Sequence, residues 1–123
     1  MSRILVVDDD SLVRETICSI LATCSYDITE ATDGKSAIRR YREQPFDLVI
    51  TDLVMPGMEG IELIKELRAI DQNVRVVAIS GGLLAASDTY LKTAKLLGAQ
   101  YTLPKPFTMD ELMRVVSVAL GET

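Results

Sequence analysis

Ile4-Leu5-Val6-Val7-Asp8-Asp9-Asp10 is a four-residue apolar run broken off by three acids. An unbroken apolar run of this kind suits a strand covered on both faces of a sheet. From Ser11 the period changes, and Leu12, Val13, Thr16, Ile17, Ile20 and Leu21 share one helical face that is expected to turn inward. A buried strand feeding a helix begins a strand–helix–strand crossover. Outward from this stretch the same alternation recurs five times, which predicts an α/β fold with a parallel sheet.

Asp27 to Ala31 reads as a second, more polar strand at the sheet edge. Asp33 caps a helix that turns Ala37, Ile38 and Tyr41 inward and ends at Gln44-Pro45. Leu48 to Thr51 is a third strand. After the loop Val54-Met55-Pro56-Gly57 comes a helix with Ile61, Leu63, Ile64 and Leu67. Val74 to Ile79 is a fourth strand and Gly81-Gly82 a loop. A helix with Tyr90, Leu91, Ala94 and Leu97 then stops at Gly98. The fifth strand is short and should end by Leu103, because Pro104 lacks a ladder donor. Thr108 with Glu111 forms a capping-box pattern opening a helix with Leu112, Val115, Val116 and Ala119 inward.

The 123 residues suit one domain over 1–123, with no output domain expected after Leu120. An apolar fraction of 48% with 25% charged residues is ordinary for a soluble globular chain. A net charge of −5 argues against nucleic-acid binding, and no apolar stretch predicts a signal peptide or membrane insertion. Cys18 and Cys24 lack metal-pair spacing and are expected to sit reduced on the first helix of a cytoplasmic protein. Histidine is absent, which excludes histidine-based triads, dyads and zinc sites within the chain. Any phosphohistidine in its chemistry must belong to another molecule.

Four apolar runs end in polar residues: Val7 in Asp8-Asp9-Asp10, Ile50 through Thr51 in Asp52, Ile79 in Ser80, and Leu103 through Pro104 in Lys105. As parallel strands they would bring these groups to one carboxyl edge, where open α/β sheets bind ligands. Three adjacent acids resist joint ionisation unless something neutralises them, and Mg²⁺ held by Asp8 and Asp9 is the natural remedy. Asp10 is expected to cap the following helix and point away. A carboxylate such as Asp52 beside a divalent ion can attack a phosphoryl group. Lys105 would neutralise the phosphoryl oxygens, and Ser80 would donate a hydrogen bond to one of them.

Asp8-Asp9, Asp52 with Met55-Pro56 and Gly60, Ser80-Gly81, and Lys105-Pro106-Phe107 together resemble the response-regulator receiver domain of two-component signalling, end to end. The resemblance implies a flavodoxin-like, three-layer αβα fold with a sheet of order 2-1-3-4-5 and five helices. It makes Asp52 the phosphoacceptor in a phosphorelay, served by Ser80 and Lys105. It implies Mg²⁺ on Asp9 and Asp52 directly, on Asp8 mostly through water, and on the backbone carbonyl of Val54. It also implies a cis Lys105-Pro106 bond. The partners implied are a sensor histidine kinase or histidine phosphotransfer protein and a downstream protein target, with no enzyme activity beyond the chain's own phosphorylation and dephosphorylation.

The aromatic that couples the switch in this family sits three residues before the lysine, where this chain has Thr102. Tyr101 is one residue earlier and faces the other side of the strand. Switching is therefore expected to rely on Ser80 and the Gly81-Gly82-Leu83-Leu84 loop. Two other readings compete. Asp8-Asp9-Asp10-Ser11 also resembles the opening of haloacid-dehalogenase-type phosphatases, with Asp8 as nucleophile, although the late acids Asp110 and Glu111 fit a helix start instead. A receiver-like adaptor that is never phosphorylated is the other. A flavin module is disfavoured, because the loop after the first strand is anionic and repels phosphate.

Overall fold

The computed structural model describes residues 1–53, 60–80 and 98–122, with the side chain of Ser80 not among them. Strands β1 (Arg3–Val7), β2 (Asp27–Ala31), β3 (Leu48–Asp52), β4 (Val76–Ser80) and β5 (Tyr101–Pro104) form one sheet of order β2-β1-β3-β4-β5. Every pair is parallel. The predicted order and flavodoxin-like topology are what the backbone adopts. Helices α1 (Ser11–Ala22), α2 (Gly34–Glu43), α3 (Gly60–Ile70) and α4 (Met109–Ala119) are the four among the described residues. The expected helix with Tyr90, Leu91, Ala94 and Leu97 lies outside them, as do the Val54-to-Gly57 and Gly81-to-Leu84 loops.

The pleat divides the apolar runs between two cores. Leu5, Val7, Val49, Val76 and Ala78 face Ala37, Ile38, Tyr41, Leu63, Ile64 and Leu67 of α2 and α3. Ile4, Val6, Ile50, Val77, Ile79 and Leu103 face Ile17 and Leu21 of α1 and Leu112, Val116 and Ala119 of α4. Sandwiching β1 and β3 between two helical layers explains why both read as unbroken apolar runs. Tyr101 packs against the second core, on the side opposite its neighbour Thr102, as strand alternation requires.

Local chemistry sets the ends. Asp10 caps α1, accepting from the amides of Leu12 at 3.0 Å and Val13 at 3.4 Å. Asp33 caps α2 through Ser36, and Thr108 with Glu111 closes a reciprocal capping box on α4. Gly98, with φ +127°, takes a conformation that suits glycine, while the helix it is expected to stop lies outside the described residues.

Four expectations need correction. Leu12 is 72% exposed and Thr16 is also exposed, because the apolar face of α1 is narrower at its first turns and overhangs the sheet edge. Cys24 lies beyond the end of α1, after the C-cap Thr23. β4 begins at Val76, two residues later than read, since the side chain of Gln100 takes the place of a strand there: it accepts from Val76 N–H and donates to Val74 O, both at 2.9 Å. β5 runs through Pro104 opposite Ser80. An edge strand tolerates a proline whose missing N–H faces outward. Among the described residues no helix is long and apolar enough to cross a membrane.

Candidate functional site

Asp8, Asp9, Asp52 and Lys105 meet at the carboxyl edge of the sheet. β1 delivers Asp8, whose N–H continues the ladder to Ala31 O at 3.2 Å. Its side chain is buried (1% exposed), whereas Asp9 and Asp10 are exposed. β3 delivers Asp52, buried at 9% exposure. The buried hydroxyl of Thr51 donates to Asp52 O at 2.9 Å and fixes the strand end. Lys105 follows β5 directly, and its bond to Pro106 is cis, as expected.

Lys105 Nζ donates to Asp52 Oδ2 at 3.4 Å and lies 3.8 Å from Asp8 Oδ2. One ammonium thus faces two buried carboxylates. Asp8 Oδ1 accepts from Asp10 N–H at 2.9 Å, but the buried Oδ2 has no hydrogen-bond donor. Burial pushes the Asp8 carboxyl up to about 6. The bond from Asp10 opposes that rise, and the charge of Asp52 adds to it. Carboxylate oxygens of Asp8, Asp9 and Asp52 lie within 4.8 Å of one another. An all-oxygen set, over-anionic and with a buried oxygen lacking a donor, fits a hard divalent cation that prefers carboxylates and retains waters.

Ser80 ends β4 beside this edge: Ile79 pairs with Asp52, and Ser80 pairs with Pro104. Val54 lies outside the described residues. Gly60, quoted among the family residues, has a stereochemical reason to be glycine. A Cβ there would lie 2.2 Å from Asp52 O and 2.6 Å from Leu53 Cα. Its N–H donates to Leu53 O at 3.1 Å, so α3 starts directly against the backbone that carries Asp52.

These features agree with the comparisons. Residues 4–117 match the family described as response regulator receiver domain. The chain belongs to the response regulator receiver family. As a receiver it is a phosphoacceptor module of two-component signalling, similar over its whole length to single-domain relatives. It is 35% identical to the response regulator receiver protein CpdR of Brucella abortus, covering 98% of both chains. It is 33% identical to the chemotaxis protein CheY of Bacillus subtilis, covering 97% of this receiver and 98% of that protein. In the CheX–CheY–BeF3–Mg²⁺ complex from Borrelia burgdorferi, a 26% identical chain superposes with TM-score 0.87, covering 95% of this receiver and 87% of that chain.

Two features of this receiver's site escaped the sequence reading. Arg14, on α1, donates from Nη1 to the carbonyl of Asp8 at 2.8 Å and from Nε to Glu30 Oε1 at 2.9 Å. A lone arginine on a helix carries no signal of that reach. Exposed Leu12 opens, with Val13, Thr16, Lys105, Pro106 and Phe107, a mainly apolar groove of about 440 Å³ against the acidic site. By periodicity Leu12 belongs to the helical face expected to turn inward.

Proposed function

We propose that this receiver accepts a phosphoryl group on Asp52 from a phosphohistidine of a sensor kinase or histidine phosphotransfer protein, and then presents an altered surface to a downstream protein. The observation that carries the reading is the placement of Lys105 between the buried carboxylates of Asp52 and Asp8. Among the described residues Asp8, Asp9 and Asp52 outnumber the one ammonium beside them, an arrangement suited to a cation and an incoming phosphoryl group. Asp8, Asp9 and Asp52 would hold Mg²⁺, with the carbonyl of Val54 assigned as a further ligand by family resemblance. When bound, Mg²⁺ neutralises charge between these acids and the phosphoryl oxygens.

The chain's own residues do the rest. An Asp52 carboxylate oxygen bonds to phosphorus as the phosphorus–nitrogen bond to the donor's imidazole breaks. The imidazole leaves and is protonated from water. Lys105 exchanges part of its contact with Asp52 for a phosphoryl oxygen. Ser80 donates to another such oxygen and carries the change into the loop that follows it, shifting the population between two states.

Labelling tests the assignment. Acetyl phosphate with Mg²⁺ should add the mass of one phosphoryl group, located at Asp52 by reductive trapping and absent in Asp52→Asn. A label on Asp8 would instead support the phosphatase reading. No label from any donor, protein donors included, would support the adaptor.

The groove beside the site suggests where a protein donor sits. It shares Lys105 with the acidic cluster, so a helix that lays an apolar side chain on Leu12 brings its histidine towards Asp52. Burying a leucine is worth about 1.5–3 kcal/mol, so Leu12→Gln should slow transfer from a phosphorylated phosphotransfer domain by roughly tenfold or more. Uptake from acetyl phosphate should be unchanged, as should stability, because Leu12 is 72% exposed. Equal slowing with both donors would locate the effect in the chemistry and remove the docking argument.

A further inference from the structure

Asp8 and Asp9 share one peptide unit, and its carbonyl points to a guanidinium. Arg14 is the fourth residue of α1, and its side chain is only 13% exposed. Nη1 meets Asp8 O at 2.8 Å while Nε meets Glu30 of β2 at 2.9 Å. One planar fork therefore ties three elements together: the first helix, the edge strand and the loop between β1 and α1. Asp8 is held at its N–H by Ala31 and at Oδ1 by Asp10 N–H, and Arg14 adds a third tie at the carbonyl of the Asp8–Asp9 peptide. Satisfying the carbonyl alone needs any donor, whereas fixing the peptide plane needs a rigid donor anchored elsewhere, which is what a guanidinium paired to Glu30 provides and a lysine does not.

We infer that Arg14, braced by Glu30, is a positioning residue that sets the relative orientation of the Asp8 and Asp9 carboxylates for a divalent cation. It acts through the peptide and does not touch the ligand. The inference rests on the metal reading given above. Outer partners that orient first ligands typically change metal affinity by 10–100-fold when removed.

Calorimetric titration of the full chain with MgCl2 tests it, without any phosphoryl donor. Arg14→Met should weaken Mg²⁺ binding by about tenfold or more, and Arg14→Lys should fail to restore it. Ile17→Val, a core change on the same helix, should lower stability yet leave Mg²⁺ affinity at the wild-type value. In metal-free protein the Asp10 amide, held by Asp8 Oδ1, should exchange faster with solvent deuterium in Arg14→Met and not in Ile17→Val. Mg²⁺ affinity within about twofold of wild type in Arg14→Met, or an equal loss in Ile17→Val, would reduce Arg14 to a structural strut and overturn the inference. A wild-type chain that binds no Mg²⁺ would overturn the metal reading itself, and the Arg14 role with it, so the two failures are told apart by the wild-type titration.

Discussion

Gly60→Ala should cost this receiver about 3 kcal/mol or more, a large penalty for one methyl group. The added Cβ would meet Asp52 O at 2.2 Å, Leu53 Cα at 2.6 Å and Asp52 C at 3.0 Å. All three are backbone atoms at the end of a buried strand, so no rotamer change relieves the clash. Either α3 must lift away from β3, opening the packing of Leu63, Ile64 and Leu67, or the Asp52–Leu53 peptide must move. The second response displaces the phosphoacceptor assigned here, so phosphoryl uptake should fall even in the molecules that stay folded. Gly98→Ala provides the contrast. Its Cβ would strike Arg68 Cδ at 2.0 Å, but that is a flexible side chain able to swing aside. What remains is the φ of +127°, outside the left-handed region that other L residues visit, worth about 1–3 kcal/mol. Urea denaturation of both variants checks the order, and a Gly60→Ala loss no larger than that of Gly98→Ala would show the close approach to be slack.

How legible was this receiver before its structure was known? Ile4 to Val7 and Leu48 to Ile50 announce buried parallel strands because both faces of β1 and β3 are covered, leaving no polar position to interrupt the run. The site acids were legible for a related reason. Charged residues directly after a buried strand must emerge at its carboxyl edge, and parallel strands share that edge. Periodicity, however, gives the direction of a side chain around a helix and not how far the sheet extends beneath it. Leu12 has the right direction and no sheet under it. Gln100 standing in for strand backbone, and Arg14 reaching across to Asp8 and Glu30, depend on tertiary distances that local sequence does not encode. The burial of Asp8 against the exposure of adjacent Asp9 is of the same kind: the pleat alternates faces, but only the packed structure says which face is closed.

That difference in burial leads to the second large effect. In metal-free protein Asp8→Asn should be more stable than the wild type by on the order of 3 kcal/mol near neutral pH. The folded chain holds the Asp8 carboxyl at about 6, above its ordinary value of 3.8, chiefly because burial penalises the charged form. A raised folded value means the protonated acid favours folding. That contribution is complete below about pH 4 and is lost as pH rises through about 6, so above this window the buried carboxylate is a standing cost. Asparagine is neutral throughout. Its Oδ1 can still accept from Asp10 N–H, and its amide can donate where Oδ2 now has no donor. The stability gap should therefore be near zero below about pH 4, open with rising pH and level off above about pH 7. Excess Mg²⁺ should narrow it, since a ligand that binds only the folded wild type stabilises that state by mass action. The same substitution should sharply reduce Mg²⁺-dependent labelling of Asp52, because one carboxylate of the proposed cation site is gone. Denaturation with and without chelator across this pH range measures both signs at once. If Asp8→Asn proved less stable at every pH, the buried carboxylate would be compensated by a partner within the chain, and the case for a cation at this sheet edge would lose its strongest physical support.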